Sequence, residues 1–287
     1  MLILDALTQQ TDFTTTEKRL ADYILANLPT LANLYIKDLA AATYTSHSAI
    51  IRLAQKLGYH GFRDFQHALT VAATAQSQAL TTVDANFPFQ ATDTAATIAK
   101  KLADLTVNTI QTAYAQIDAT QLTAAAKLLD QADRIFLFSQ GDSQLRARSF
   151  QNKLIKINKL AIIAEEYADD AWQAANVTPQ DCAVFISYAG TTTTHQHFAT
   201  HFHEQHIPTV LLTGNAQSPL IALTTQQLIS VQPEKDFAKV ATFASQAAFE
   251  YLLDNLFSLL YVRDYRQNLL KLQQNQALMQ NGPLQTK

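Results

Sequence analysis

From Ile135 onward the sequence changes period, and short apolar, β-rich runs alternate with stretches of helical spacing. The runs are Ile135 to Phe138, Leu160 to Ala164, Cys182 to Ile186, Pro208 to Leu212 and Leu228 to Val231. Helical patterns lie between and after them at 143–157, 168–176, 192–206 and 216–224. Continuous apolar strands that alternate with helices are buried on both faces. This half of the chain is therefore expected to be α/β, a five-stranded parallel sheet flanked by helices and closed by a long helix from Ala238 to Val262. Such a layered domain needs a large core. The chain supplies one, with 287 residues of which 48% are hydrophobic and only 16% charged, a profile that excludes a disordered or highly charged chain.

The residues before this point carry no such alternation. Thr14 with Glu17 makes a capping box, after which Leu20, Ile24, Leu25 and Leu28 recur at helical spacing until Pro29. Ile36 to Thr43 is a short second pattern, Tyr44-Thr45 a tight turn, and Ser46 the N-cap of a helix over 47–57. In that helix Ile50, Leu53, Ala54 and Leu57 form the inner face, and Gly58 stands where a left-handed C-terminal residue is wanted. Val71 to Thr94 is rich in Ala, Thr, Gln and Ser and lacks an apolar stripe after about Leu80, so it reads as a linker, and Ile98 to Leu129 reads as helix. The expected division is a helical domain over 1–77, a linker over 78–94, an α/β domain over 95–270 and a C-terminal tail over 271–287.

Helix, short turn and helix at 36–57 suit a DNA reader, whose second helix enters the major groove. The outer face of 47–57 presents His47, Ser48, Ile51, Arg52, Gln55 and Lys56 without a carboxylate, and Thr45 and Ser46 lead into it. Arg52 is suited to a bidentate base contact or a phosphate, and Lys56 and Arg63 to phosphates that position without specifying. The same periodicity also fits an ordinary α-hairpin with a solvated basic face. A second basic zone, Lys127, Arg134, Arg146, Arg148, Lys153, Lys156 and Lys159 against Asp130, Asp133 and Asp142, suggests another anion-facing surface.

Two loops at expected strand ends have phosphate-binding chemistry. Ser139-Gln140-Gly141-Asp142-Ser143 follows the first strand, and Ser187-Tyr188-Ala189-Gly190-Thr191-Thr192-Thr193-Thr194 follows the third. Small hydroxyl residues with glycine let amides and hydroxyls surround a phosphoryl group, particularly where the loop opens a helix. Caps and turns alone would use the same residues. No GxGxxG and no GKS or GKT occurs, so no dinucleotide or Walker site is expected. Cys182, the one cysteine, excludes an internal disulfide and a cysteine zinc cluster, and its place in a buried strand makes it core rather than nucleophile. His195, His197, His201, His203 and His206 read as a helix surface rather than a metal site, and Glu165, Glu166, Asp169 and Asp170 as an acidic loop. No cofactor is expected. No run of about 18 apolar residues occurs, and Asp5 stands where a signal peptide wants a basic start, so the expectation is a cytoplasmic protein without a membrane partner.

The stretch Tyr35-Ile36-Lys37-Asp38-Leu39-Ala40, continued by Ser46 to Phe62 with Arg52, Lys56-Leu57-Gly58-Tyr59 and Gly61-Phe62, resembles the N-terminal helix-turn-helix of the RpiR family of bacterial transcriptional regulators. The α/β half resembles that family's SIS (sugar isomerase) domain. The resemblance implies a dimeric or tetrameric regulator that reads a double-stranded operator and senses a phosphosugar. It places the phosphate-loop serine at Ser143 and the second loop's contacts at Ser187, Gly190 and Thr192; with these, Ser139, Gly141 and Thr191 complete the candidate effector site. The chain departs from the family pattern at Ser139 and Tyr44, where glycine is common, at Ala49, where threonine is common, and at Ala189, where a second serine is usual. Asp142 adds a negative charge beside the expected phosphate. Other readings that these residues allow are a phosphosugar isomerase and a sugar-phosphate sensor that binds a protein.

Overall fold

In the computed structural model, which describes residues 3–28, 34–78, 80–164, 169–234 and 238–285, local capping chemistry sets the helix boundaries of the N-terminal unit, residues 1–80. Five helices build it among the described residues: α1 (Ile3–Gln9), α2 (Thr15–Ala26), α3 (Ile36–Ala42), α4 (His47–Lys56) and α5 (Phe62–Gln78). The expected capping box starts α2, with the Thr14 amide donating to Glu17 Oε2 at 2.7 Å and the Glu17 amide to Thr14 Oγ1 at 3.3 Å. The helix ends at Ala26 with Asn27 as its cap, and Pro29 lies outside the described residues. Leu7, Leu20, Ile24, Leu39, Ile50, Leu53 and Phe65 are fully or almost fully buried in one core. α5 continues to Gln78 through the first part of the stretch read as a linker.

The second unit, 81–287, holds the sheet. All five strands are parallel, in the order β2-β1-β3-β4-β5. They are β1 (Ile135–Ser139), β2 (Ala161–Ile163), β3 (Cys182–Ile186), β4 (Thr209–Thr213) and β5 (Gln226–Ile229). Alternate residues feed two cores. Ile135, Leu137, Val184, Ile186, Val210 and Leu212 pack under α7 (Ala119–Gln131), α8 (Asp142–Ile155) and α11 (Ala244–Arg263). Phe136, Phe138, Phe185 and Leu211 face the other way with Phe202 of α10 (Thr193–Glu204) and Ala174 of α9 (Asp170–Ala175). Burial on both faces is why these strands read as unbroken apolar runs.

Several expectations for this unit need correction. The helix read over 98–129 is two, α6 (Ala95–Gln116) and α7, because the Asp118 carboxylate takes the amides of Thr120 and Gln121 and starts a new helix. The helix read over 216–224 is a single 3-10 turn, Ile221–Leu223. Asn215 Oδ1 and Ser218 Oγ capture the amides of Gln217 and Leu220, and Pro219 has none to give. Register with β4 places β5 at Gln226–Ile229 rather than 228–231. α11 begins at Ala244 rather than Ala238, because the buried Glu234 carboxylate accepts from the amides of Ala244 at 2.8 Å and Ser245 at 3.1 Å. Past Asp264 the chain forms α12 (Tyr265–Asn281), which crosses the boundary drawn before the expected tail.

Residues 81–94 contain no helix or strand, yet they are anchored. Thr81 donates through its hydroxyl (2.6 Å) and amide (3.2 Å) to Asp104 of α6, and Asn108 donates to the Thr81 carbonyl at 3.1 Å. Val83 and Ala85 pack with Leu105, Phe243 and Ala244. The segment is a strap on the α/β unit rather than a free linker.

Candidate functional site

The turn that orients α4 is built from two linked terminations. α3 ends with Tyr44 in the left-handed region at φ 51°, its amide donating to the Ala41 carbonyl and that of Thr45 to Ala40. This is the Schellman pattern, made with tyrosine where glycine costs least, by about 1–2 kcal/mol. Buried Thr43 steadies it through hydroxyl contacts to the Leu39 carbonyl at 2.6 Å and Thr45 Oγ1 at 2.9 Å. Ser46 then caps α4 by accepting from the Ala49 amide at 3.2 Å. The far end closes with Gly58 at φ 90° and the Tyr59 amide on the Ala54 carbonyl, as the glycine's position foretold.

Between these caps α4 buries Ala49, Ile50, Leu53 and Ala54 and exposes His47, Ser48, Arg52, Gln55 and Lys56 on its outer face. Thr45 and Ile51 are half-buried beside it, Ser46 is exposed, and Arg63 is exposed on the neighbouring α5. The two cations of the α4 face differ. Arg52 makes no ion pair among the described residues, whereas Lys56 Nζ sits 3.0 Å from Glu17 Oε2, donates to the Asp12 carbonyl and lies over the Phe13 ring. Burial raises the Glu17 carboxyl, but the Thr14 amide and Lys56 outweigh it and leave the group below its ordinary value. Tyr44, read in the sequence as part of the turn and as a departure from the family pattern, is 86% exposed beside the start of α4. Its carbonyl is 3.4 Å from the Arg19 guanidinium.

In the α/β unit the two hydroxyl-rich loops meet. β1 and β3 are neighbours, with Ser139 opposite Ile186, and the connections from them run to opposite sides of the sheet. Loops at such a switch point form the crevice in which open α/β sheets hold ligands. Ser139 is buried at the end of β1, Gly141 adopts φ 56°, and Ser143 is buried in the first turn of α8. Asp142 accepts from the Thr242 hydroxyl.

The second loop is held from behind by residues 213–218. Tyr188, Ala189 and Gly190 have their carbonyls engaged by Thr213 and Gly214, by Asn215 Nδ2 (2.9 Å) and by Ser218 Oγ (2.6 Å) respectively. Ser187 Oγ accepts from the Gly190 amide at 3.3 Å. The amides of Ala189, Thr191 and Thr192 meet no acceptor among the described residues. Gly190 sits at φ 62°, where an added Cβ would lie 2.8 Å from Thr213 Oγ1 and 2.7 Å from Ser218 Cβ, so glycine is required. Thr191 is exposed, and Thr192 is the N-cap of α10. Carbonyls turned away and amides without an acceptor are the backbone pattern from which anion-binding nests are built.

Sequence reasoning missed the support of this loop. The Tyr188 hydroxyl lies 3.2 Å from Glu234 Oε2, and Lys239 lies over the tyrosine ring. Burial and the neighbouring carboxylate push the Tyr188 phenol upward. Glu234 is 46 residues away in sequence and has no periodic neighbour, so nothing local announces it.

Four cations of the second basic zone, Arg134, Arg146, Lys153 and Lys159, are committed to carboxylates, while Lys127, Arg148 and Lys156 are exposed. On α8, Arg146, Ser149 and Lys153 lie at 2.9, 2.6 and 2.6 Å from Glu250 of α11, and Lys153 also meets Asp254. Arg134 is paired with Asp181 at 2.7 Å and Lys159 with Asp130 at 3.4 Å. On α8, helical spacing turns Arg146 and Lys153 onto acids of α11 that lie about a hundred residues further along the chain. Cys182 is buried with its thiol pushed upward by desolvation, in keeping with a core role. Of the helix α10 histidines, His195 is buried against Phe185 while His197, His201 and His203 are exposed. No cluster of three potential metal ligands occurs among the described residues. Asp169 and Asp170 border α9, and Glu165 and Glu166 lie outside the described residues. No described helix is long and apolar enough to cross a membrane.

A helix-turn-helix unit followed by a parallel α/β unit with paired phosphate-type loops defines a DNA-binding transcriptional regulator with a ligand-sensing domain. Comparison with known proteins agrees: residues 1–76 match the model of the helix-turn-helix domain of the rpiR family, and residues 128–253 match the SIS domain. The chain belongs to the RpiR family of helix-turn-helix transcriptional regulators. It is 28% identical over 256 residues, 88% of each chain, to an uncharacterized HTH-type transcriptional regulator of Caldanaerobacter subterraneus. A second such regulator, from Haemophilus influenzae, is 25% identical over 86% of this chain and 85% of its own. Among solved structures, Vibrio vulnificus NanR complexed with ManNAc-6P superposes with a TM-score of 0.60 at 28% identity, covering 99% of both chains. The sugar isomerase domain of an RpiR transcription factor from Sphaerobacter thermophilus shares the fold at a TM-score of 0.53 and 18% identity, over 61% of this chain and 98% of that one.

Proposed function

We propose that this regulator senses a phosphosugar at the paired loops of its SIS domain and that the bound effector changes operator affinity, controlling genes of carbohydrate metabolism. The observation that carries the reading is the backbone of the 187–192 loop, where the carbonyls of Tyr188, Ala189 and Gly190 are taken from behind and open amides and hydroxyls remain. Ser139, Gly141 and Ser143 at the adjacent strand end supply a second wall. The likeness to NanR in complex with ManNAc-6P over the whole chain supports the chemical class of the ligand. In this reading Thr45, Ser46, His47, Ser48, Ile51 and Arg52 face the operator, Lys56 and Arg63 lie near its phosphates, and exposed Tyr44 adds a contact at the helix edge. Two readers brought together by self-association would span half-sites one helical turn apart. The protein works without catalysis, in the cytoplasm with the DNA it reads. Buried Glu234, the carboxylate beside the second loop, is committed to amides of α11 and is no free base.

The test is a gel shift with DNA upstream of the protein's own operon, in rising salt and against excess unrelated duplex, with a panel of sugar phosphates. Specific retention that one phosphosugar releases or strengthens is the expected result. Retention indifferent to every sugar phosphate would overturn the sensing half, and no retention above unrelated DNA would overturn the operator-reading half.

A further inference from the structure

The two loops of the sensing unit are opposite in charge. The second loop, 187–194, contains no ionised side chain and opens α10. Lys239 lies over the ring of its Tyr188, and a lysine beside a helix N-terminus favours an anion there. In the first loop Asp142 stands between Gly141 and Ser143 as the first residue of α8, where its carboxylate offsets the positive end of that helix. Asp142 is exposed; its Oδ2 accepts from the Thr242 hydroxyl, and its Oδ1 makes no hydrogen bond or ion pair among the described residues. Arg146, the first cation of α8, is committed to Glu250. Lys239 and Thr242 belong to one short segment ahead of α11, which meets the second loop with the lysine and the first loop with the threonine.

We propose that the effector is a zwitterion, a sugar phosphate that carries a protonated amine, with its phosphate at the open amides of Ala189, Thr191 and Thr192 and its ammonium at Asp142. The inference rests on the sugar-phosphate sensing proposed above and names the class of sugar. β1 and β3 are hydrogen-bonded neighbours, so the two loops leave the sheet about 5 Å apart. At that range a carboxylate opposes a phosphate dianion, and a plain sugar phosphate meets this repulsion with nothing to offset it. A ligand with an ammonium at the other end meets a charge of the right sign in each loop. Asp142 then acts by discrimination, attracting the amino sugar and disfavouring its neutral counterpart. A hydrogen bond to a charged group supports a preference of about ten- to a hundredfold.

Calorimetry of the full chain reads the preference from pairs of ligands that differ in one group: glucosamine-6-phosphate against glucose-6-phosphate, with the corresponding mannose and galactose pairs, just below neutral pH where the amines are protonated. In the series that binds, the amine is expected to bind about tenfold tighter or more. Asp142→Asn removes the charge while keeping the shape and an acceptor for Thr242. It is expected to weaken the amine and strengthen the hexose, bringing their ratio close to one. Damage to the fold would weaken both members together, so opposite shifts report the charge itself. A wild-type chain that binds a hexose phosphate, or the uncharged N-acetylated amine, as tightly as the free amine overturns the assignment and leaves sensing intact. So does an Asp142→Asn chain that keeps the full preference. A wild-type chain that binds no member of any series overturns the sensing reading and this inference together.

Discussion

Arg52 and Lys56 are one helical turn apart on the same exposed face, yet only Arg52 has its charge uncommitted within the described structure. Arg52→Ala is expected to weaken operator binding by about 1–3 kcal/mol, read as a shift in half-saturation on a gel. Lys56→Ala is expected to lower the salt slope by less than the roughly one unit of a free phosphate contact, since Glu17 already shares the charge. Equal slopes for Lys56→Ala and a full-strength phosphate contact would contradict that order. Gly190→Ala forces a side chain into the left-handed region against Ser218 and Thr213, and is expected to cost about 1–3 kcal/mol in thermal unfolding and to abolish phosphosugar binding by calorimetry. Unchanged melting would refute the packing argument. Ser46, Gly58 and the capping box were legible from sequence because a cap is a contact between residues three or four apart. Tyr188 with Glu234 was not, since that hydrogen bond depends on how two strand ends come together.

At the scale of elements, unbroken apolar runs located β1, β3 and β4, because burial on both faces leaves no alternation to misread, whereas β5, which opens on Gln226-Gln227 and is only partly buried, was placed two residues late. What the sequence concealed were starts and stops decided by single side chains from elsewhere. Glu234 moves the start of α11 to Ala244, and Asn215 with Ser218 dissolves a helix into one 3-10 turn. The strap over 81–94 looked like a linker because its anchor, Asp104, belongs to another element. α8 and α11 show the same effect in charge, since Glu250 gathers Arg146, Ser149 and Lys153. Burial raises the Glu250 carboxyl, but Lys153 and Ser149 bring it below the ordinary value; likewise Arg134 and Thr178 overcome burial at Asp181. A carboxyl whose folded pKa is depressed stabilises the fold above its unfolded value and loses that contribution as pH falls through the folded one. Stability is therefore expected to fall below about pH 4, the usual carboxylate range. In Glu250→Gln the acid limb is expected to be shallower, and a denaturant midpoint that follows the wild-type pH profile would rule this pair out as a contributor. Arg134→Ala leaves buried Asp181 with the Thr178 amide and hydroxyl as its remaining donors and is expected to cost about 1–3 kcal/mol in the same measurement.

For the whole molecule, the two proposed functions are assigned to separate units, one with α4 and one with the paired loops. An effector alters operator affinity only by binding one state of the regulator more tightly than another, and the magnitude is set by that difference alone. Linkage then imposes symmetry: if a sugar phosphate changes operator affinity by some factor, the operator changes sugar-phosphate affinity by the same factor. A typical coupling of about 1–3 kcal/mol corresponds to roughly 5–150-fold. The expected result is equal ratios from titrations of effector with and without operator, and of operator with and without effector, under one salt condition. Ala189→Ser, which returns a hydroxyl to an exposed position in the second loop, is expected to tighten effector binding in both titrations while leaving that factor unchanged, because the added donor serves the ligand in either state. A variant whose coupling factor moved with its affinity would show instead that the 187–192 loop itself changes between the two states, and would place the switch inside the sensing site.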